Sequence, residues 1–284
     1  MLQFKDLTRD QAKELLFQET PSEILDRYNE PYPLEQEKID YYLENGFIIL
    51  KNVLDGETLR HARQVIQAAV LLRKEHDERK LKEKSAYEQS FLQCGYLCWD
   101  YPALKNFVFG KRFAGIARDL MNVDHARLWH DQALFKEPGG RSTDVHQDSS
   151  YWPVDKPELT TTMWLALNSV PVHKGSLYFY PQTHKPEMRE YVDIFKNPHL
   201  PKHLKNKKPV ESSLEPGDAT FHTGLTFHGA GANQSQEYRE GMTVIYIADG
   251  VKFDATDDRN ATHTSCNGLE DGQIIDTQYT PRLT

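Results

Sequence analysis

His146-Gln147-Asp148 sets an imidazole and a carboxylate two residues apart, and Phe227-His228-Gly229 offers a second imidazole much further along the chain. Two imidazoles and one carboxylate are the set with which proteins hold non-haem Fe(II), leaving the opposite coordination positions open for small molecules. In extended structure residues i and i+2 leave the same face of the strand, so His146 and Asp148 can take adjacent positions on one metal. The tripeptide by itself carries little weight, because about one His-x-Asp is expected by accident in a chain of this composition. Taken alone, a surface His beside an Asp in a polar loop is an equal reading. The context must decide.

On spacing, two residues can complete the set, His222 and His228, both placed after the Gly217-Asp218 turn. Arg239 precedes the apolar run Met242-Thr243-Val244-Ile245-Tyr246-Ile247. An arginine pointing into an apolar barrel is costly unless paired, and a carboxylate suits its planar fork. An arginine facing solvent at a strand edge is the alternative. Gln132 and Lys136 share a strand parity, so both can face the interior and meet a polar small molecule. Tyr151 and Trp152 follow the motif directly and are candidate walls of a substrate pocket.

The elements that must position these groups change character along the chain. Thr8 to Phe17, Ser22 to Tyr28 and Glu35 to Asn45 read as amphipathic helices, the last stopped by Gly46. Phe47 to Leu50 reads as a short strand. Asp55 to about Lys84 reads as one long helix with a buried stripe of Leu59, Ala62, Val65, Ile66, Ala69 and Val70 and a charged end. From Ala126 onward, short β-type runs alternate with Gly/Pro/Asp turns: 126–136, 160–170, 176–180, 210–214, 219–222, 226–229 and 242–248. Such a series suggests a sandwich or barrel. A mobile insertion is expected at 196–209. One domain over 1–284 is expected, with a helical layer at 1–125, a β core at 126–250 and a C-terminal extension at 251–284.

The order of motifs supplies the context. Leu134 to Gly140 leads into Val145 to Pro153, then Thr162 to Leu167, Lys174 to Leu177, Pro181 to Lys185, Glu215 to Phe221, His228 to Asn233, and Arg239. That order closely resembles the phytanoyl-CoA dioxygenase family of Fe(II)/2-oxoglutarate oxygenases, from about Glu35 to about Asp249, and Tyr42 to Leu50 looks like its opening helix and strand. The resemblance implies a double-stranded β-helix, the jelly-roll, cupin-like architecture. It implies His146, Asp148 and His228 as Fe(II) ligands and Arg239 as the anchor of the 2-oxoglutarate co-substrate, with O2 as second co-substrate. Trp164 matches a tryptophan bordering that pocket. The reaction implied is hydroxylation of an unactivated C–H bond of a small molecule, releasing succinate and CO2. One departure stands out: many relatives carry serine two residues after the distal histidine, and this chain has Ala230. Thr162 or Tyr178 is the expected substitute hydroxyl. Pro181-Gln182-Thr183-His184 varies a family turn, with His184 in a structural role. Halogenating relatives lack the carboxylate, so Asp148 argues against that outcome. A non-catalytic, cupin-like ligand-binding barrel is the alternative from another class.

Bulk composition narrows the rest. The 284 residues suffice for a substantial core. A formal net charge of −8 argues against nucleic acid as partner. No apolar window is long enough to span a membrane, and the start lacks the apolar core of a secretory signal. Cys94, Cys98 and Cys266 fit a reducing compartment, and a cytoplasmic location is expected. Cys94 and Cys98 could share a helical face as buried thiols. The sequons at Asn233 and Asn260 are chance-level matches. The basic stretch Lys202, His203, Lys205, Lys207 and Lys208 either attracts an anionic substrate or is a solvated loop.

Overall fold

The computed structural model describes residues 7–196, 198–256 and 263–284, so Asn260 lies outside the described residues. Its helices are α1 (Arg9–Phe17), α2 (Ser22–Asn29), α3 (Gln36–Asn45), α4 (Gly56–Arg73), α5 (Leu97–Asp100), α6 (Pro102–Val108) and α7 (Lys111–Met121). Its strands are β1 (Phe47–Leu50), β2 (Leu92–Gly95), β3 (Ala126–Phe135), β4 (Thr143–His146), β5 (Thr160–Ala166), β6 (Leu177–Phe179), β7 (Val210–Ser212), β8 (Ala219–Thr223), β9 (His228–Ala230) and β10 (Gly241–Ala248). They form two antiparallel sheets, in the orders β1-β8-β5-β10-β3-β2 and β4-β9-β6-β7. From β3 to β10 the chain shuttles between the sheets. That winding is the expected double-stranded β-helix.

Local chemistry explains the element ends. Thr8 and Gln11 form a capping box at the start of α1. Gly46 closes α3 in the left-handed region, at φ 82°. The charged run beyond Arg73 does not continue α4 as expected. From Lys74 to Lys84 only Leu81 is apolar, so a helix there has no face to bury. Asp77 and Arg79 pair locally at 2.8 Å instead, and the chain turns. Cys94 and Cys98 do not share a helix either: Cys94 lies in β2 and Cys98 in α5, both as buried free thiols.

The larger sheet is covered on both faces. Met163, Leu165, Phe221, Met242, Val244 and Tyr246 pack with Val65, Ile66, Ala69, Phe113 and Ala117 in one cluster of buried side chains under the helices. The intervening residues Thr162, Trp164 and Thr243 line a cavity between the sheets. Strands β5 and β10 are therefore buried along their whole length, which is why they read as apolar runs rather than as clean alternation. A register shift between Ile245 and Tyr246 leaves Trp129 as an extra residue in β3. The bulge reverses the parity of the residues after it. Leu128 faces the helices, whereas His130, Gln132 and Leu134 line the cavity.

The stretch expected as a mobile insertion is tied down by Leu204, buried with Val145, Tyr180, Val192, Ile194 and Phe227. Asn233 is buried and its amide donates to the Lys136 and Glu237 carbonyls, so its sequon has no room for a glycan. Among the described residues no helix is long and apolar enough to cross a membrane.

Gly241 is needed for close approach, since a Cβ there would stand 2.1 Å from the Trp164 ring. Gly241→Ala is expected to cost roughly 1–3 kcal/mol of stability. The measurement is the denaturation midpoint, and an unchanged midpoint would show that Trp164 can move freely.

Candidate active site and metal centre

His146 ends β4 and His228 begins β9, and the two are cross-strand partners in the smaller sheet. Their rings stand 4.4 Å apart between centroids. Gln147 stays extended, and Asp148 then opens a short 3-10 turn rather than continuing the strand, still on the same side as His146. Asp148 Oδ1 lies 3.4 Å from His146 Nε2 and 3.7 Å from His228 Nε2. One donor atom from each of the three falls within 4.8 Å of the others.

The hydrogen positions follow from the partners. His146 Nδ1 lies 2.8 Å from the Asp144 carbonyl, and His228 Nδ1 lies 3.0 Å from the Thr226 carbonyl. A carbonyl only accepts, so each Nδ1 carries the hydrogen and each Nε2 presents a lone pair. Two imidazole lone pairs and one carboxylate oxygen thus converge with no hydrogen to share. Such a cluster is repulsive until a cation enters, and the donor set suits Fe(II).

His222, the other candidate for distal ligand, plays a different part. It comes from β8 in the larger sheet and places Nε2 3.1 Å from Asp148 Oδ2. Thr162 donates to the same oxygen at 2.8 Å. Both hydrogen bonds fall on Oδ2, which leaves Oδ1 for the metal. Burial raises the Asp148 carboxyl, but the surrounding His228, His146 and His222 rings outweigh it and hold it well below the usual carboxylate range. Burial, with the neighbouring His222 and His146, holds the His228 imidazole well below its ordinary value. Both directions favour an ionised carboxylate beside a neutral, ligating imidazole.

Arg239 lies in the same cavity, 2% exposed. It donates to the Gly175 carbonyl at 2.8 Å and to the Leu134 carbonyl at 3.4 Å, and its Nε has no partner. Its guanidinium sits over the Trp164 ring, 5.2 Å from the centroid. Among the described residues no carboxylate pairs with it. Burial lowers it to about 9, which leaves it charged at neutral pH. A buried, uncompensated guanidinium is a socket for an anion, and the far carboxylate of 2-oxoglutarate fits it.

Gln132 lines the cavity and is bonded by Gln93. Lys136 does not reach the cavity wall. It is fully buried, with Nζ 2.5 Å from the Arg141 carbonyl and 3.3 Å from Thr143 Oγ1. Tyr151 and Trp152 line the cavity as expected. His184 packs away from it, against the Leu43 carbonyl at the end of α3. The two hydroxyls expected to compensate for Ala230 are placed otherwise: Thr162 is bound to Asp148, and Tyr178 lies behind Gly229.

Thr143, His130 and His263 are among the lining residues that were not anticipated. Thr143 is the register partner of Ala230, but it stands three residues before His146, and odd spacing gave no reason to place both on one face. The irregular pairing between them does so. His130 shares the parity of Gln132, a signal that was present. His263 arrives from the C-terminal segment, and nothing in its local sequence marks it.

Replacing His146, Asp148 or His228 by Ala should abolish Fe(II) retention and 2-oxoglutarate-dependent turnover. His222→Asn should instead weaken Fe(II) by roughly ten- to a hundredfold, as for residues that orient a ligand. Equilibrium metal titration separates the two. Complete loss with His222→Asn beside an active His228→Ala would reverse the assignment.

A sequence model of the phytanoyl-CoA dioxygenase (PhyH) family matches residues 42–241. The peroxisomal phytanoyl-CoA dioxygenase of Homo sapiens is 26% identical over 243 residues, covering 78% of this chain and 70% of that protein. Dioxygenase andF of Emericella variicolor is 24% identical over 234 residues, 76% and 75% of the two chains. Among solved structures, the non-heme alpha ketoglutarate dependent carbocyclase SnoK from nogalamycin biosynthesis superposes with a TM-score of 0.75 at 23% identity, over 90% of this chain and 100% of that one. The epimerase SnoN, solved with Fe3+, alpha ketoglutarate and nogalamycin RO, gives 0.72 at 21% identity, over 88% and 98%. The chain belongs to the phytanoyl-CoA dioxygenase family and is an Fe(II)- and 2-oxoglutarate-dependent dioxygenase.

Proposed function

We propose that this enzyme hydroxylates an unactivated C–H bond of a small, electroneutral molecule and works as one unit over 1–284. The observation that carries the oxidative reading is the convergence of Asp148 Oδ1 with two unprotonated Nε2 atoms, in one cavity with the unpaired Arg239. Fe(II) with 2-oxoglutarate and O2 supplies the oxidising chemistry, with succinate and CO2 as co-products. His146, His228 and Asp148 hold the metal on one face. Thr162 and His222 fix the carboxylate rotamer. Arg239 and Trp164 fix the co-substrate's far end, with Gln132 beside it. The chain's own contribution is orientation and exclusion of water.

The substrate class follows from charge. The cavity measures about 260 Å³, small for a ligand site, so it encloses co-substrate plus the reacting end of the substrate. Of the described side chains lining it, only Asp148 and Arg239 carry a fixed charge, and both are committed. The basic residues Lys202, His203, Lys205, Lys207 and Lys208 are not on its wall. An anionic group inside would lack a counter-charge and cost several kcal/mol. The rest of the described wall is neutral and largely aromatic, with Phe91, Tyr151, Trp152, Phe195, His130 and His263 on it. Burial lowers His130 to about 4, and burial with the His130 charge lowers His263 to about 3. His263 Nδ1 accepts from the Ser265 N–H at 3.3 Å, so its Nε2 carries the hydrogen. The ring stacks on Trp129 with centroids 4.4 Å apart. It is a fixed donor for a substrate oxygen. Three buried thiols suit a reducing compartment, and a cytoplasmic location remains our proposal.

The test is succinate release above the uncoupled background, across cyclic ketones and lactones, their ring-opened hydroxy acids, acyl-CoAs, phosphonates, betaines and amino acids. Neutral members should stimulate more than their matched acids, and the product should gain one oxygen atom. Selective stimulation by acyl-CoAs or phosphonates would sink the electroneutral reading. A product without added oxygen would replace hydroxylation with cyclisation or epimerisation, the activities named for the two structural neighbours.

Loss of Arg239 should mainly raise the 2-oxoglutarate concentration required, because its salt bridge forms in ground and transition states alike. Arg239→Lys should rescue only in part, since a point charge cannot reproduce the fork. Normal co-substrate dependence in Arg239→Ala would mean that another residue anchors the carboxylate.

A further inference from the structure

We propose that His130 and His263 together grip a neutral carbonyl or hydroxyl oxygen of the substrate at the metal end of the cavity, and that Tyr96 and Ser265 hold the pair in place. The inference rests on the electroneutral reading above and names the residues that recognise such a substrate.

Strand register sets the level of the pair. On β10, Ile245 is flanked by His130 on β3 and Thr162 on β5, and Thr243 is flanked by Gln132 and Trp164. His130 is therefore level with Thr162, which holds Asp148, while Gln132 is level with Trp164, which carries Arg239. Two strand spacings, about 10 Å, separate His130 from Thr162, and both side chains line the cavity. Asp148 is among the charges that act on His130. Trp152, four residues after Asp148, meets the His130 ring edge-on at 6.3 Å between centroids.

Each ring keeps one nitrogen for the cavity. His263 Nδ1 accepts from the Ser265 N–H at 3.3 Å, so Nε2 carries the hydrogen. His130 is 9% exposed, and its Nδ1 is sealed in without a hydrogen-bond partner. Nε2 is then the polar atom that its ring offers the cavity. The two rings stand 5.6 Å apart between centroids, tilted by 39°. A neutral imidazole nitrogen presents either a hydrogen or a lone pair. With the fixed donor of His263 beside it, the pair serves a carbonyl, which only accepts, or a hydroxyl, which does both.

The surroundings hold both rings. His263 stacks on Trp129 with centroids 4.4 Å apart, and Ser265 donates to the Trp129 carbonyl at 2.6 Å. The serine hydrogen is thereby used, so the Tyr96 hydroxyl, 3.2 Å away, donates to Ser265 Oγ. The Tyr96 ring lies 5.4 Å from that of His130 and 6.4 Å from that of His263. Its backbone is left-handed, at φ 57°, a conformation that a bulky residue seldom adopts. Backbone strain of this kind persists where the surrounding structure fixes it and concentrates at ligand sites. His130 and His263 are the binding residues, and Tyr96 and Ser265 are positioning residues.

The experiment is isothermal titration calorimetry on the anaerobic Fe(II) protein saturated with 2-oxoglutarate, with four probes of similar shape. Acetophenone carries a carbonyl, 1-phenylethanol a hydroxyl, α-methylstyrene no oxygen, and benzoate a carboxylate. Acetophenone or 1-phenylethanol should bind the native protein roughly tenfold more tightly than α-methylstyrene, the order for hydrogen bonds between neutral groups. His130→Phe and His263→Phe should each remove most of that preference and leave α-methylstyrene binding unchanged, whereas a merely structural defect would weaken all probes alike. His263→Gln, which keeps a donor near the position of Nε2, should retain part of the preference. Tyr96→Phe and Ser265→Ala should lower it by less, again without moving α-methylstyrene. A native protein that binds neither neutral oxygenated probe, or binds both no better than α-methylstyrene, overturns the proposal. So does a preference that survives in either Phe variant, or an equal loss for every probe. Benzoate bound more tightly than acetophenone overturns the electroneutral reading itself.

Discussion

One cavity holds a carboxylate and a guanidinium that the fold keeps from neutralising each other. Asp148 is turned toward two imidazoles, and Arg239 is bonded only to backbone carbonyls. A buried ion left without its partner costs several kcal/mol even after relaxation. That cost is tolerable because helices and two sheets bury a large apolar core around the site. It is also reversed by occupancy: a divalent cation answers the first charge and a dicarboxylate answers the second. Ligands that bind only the folded state stabilise it by mass action, so the unsatisfied pair makes the core's stability dependent on the same molecules that the chemistry needs.

Strand β5 keeps the two ends apart. Thr162 holds Asp148, and two residues later Trp164 carries the guanidinium of Arg239 on its face. Residues i and i+2 share a face and stand about 6.6 Å apart along a strand. The separation is thus written into a rigid central strand and not into a loop. The candidate metal centre draws on both sheets, with His146 and His228 on the smaller sheet and the partners of Asp148, Thr162 and His222, on the larger. Displacing either sheet would disturb both the ligands and the groups that orient them.

The architecture itself says little about outcome. Solved relatives of the same fold include a carbocyclase and an epimerase, and activity resides in the site that each chain builds on the frame. The aromatic part of the cavity wall is built from two separate stretches of this chain. His130 and Trp152 come from the barrel and His263 from the C-terminal segment, which Ser265 pins to the Trp129 carbonyl at 2.6 Å. Neutral imidazoles among aromatic faces select by shape and by hydrogen bonding, where a charged wall would select by sign.

The sequence by itself pointed to the family and the fold class, because the order of its motifs and the strand runs are local or ordered patterns, and it offered His146, Asp148 and Arg239 as candidates for the site. His146 and Asp148 stand two apart in sequence, and β5, β8 and β10 are legible as short apolar and β-branched runs between turn signals. Gly46 marks a helix end by itself. Spacing left His222 and His228 open and the resemblance favoured His228; the tertiary structure groups His228 with His146 and Asp148 Oδ1 and places His222 against Asp148 Oδ2. The charged run after Arg73 looked helical because composition does not report whether a buried face exists. Bulges were invisible for a related reason: a period-2 reading assumes unbroken pairing, and the extra residue at Trp129 and the shift before His146 each change which side chains face inward. The first turns Leu128 to the helices while His130 faces the cavity, and the second brings Thr143 to the cavity beside His146. Lys136 turned aside, and His263 arrived from more than a hundred residues away from the metal motif. Contacts of that kind are set by how distant segments pack, and no local pattern encodes them.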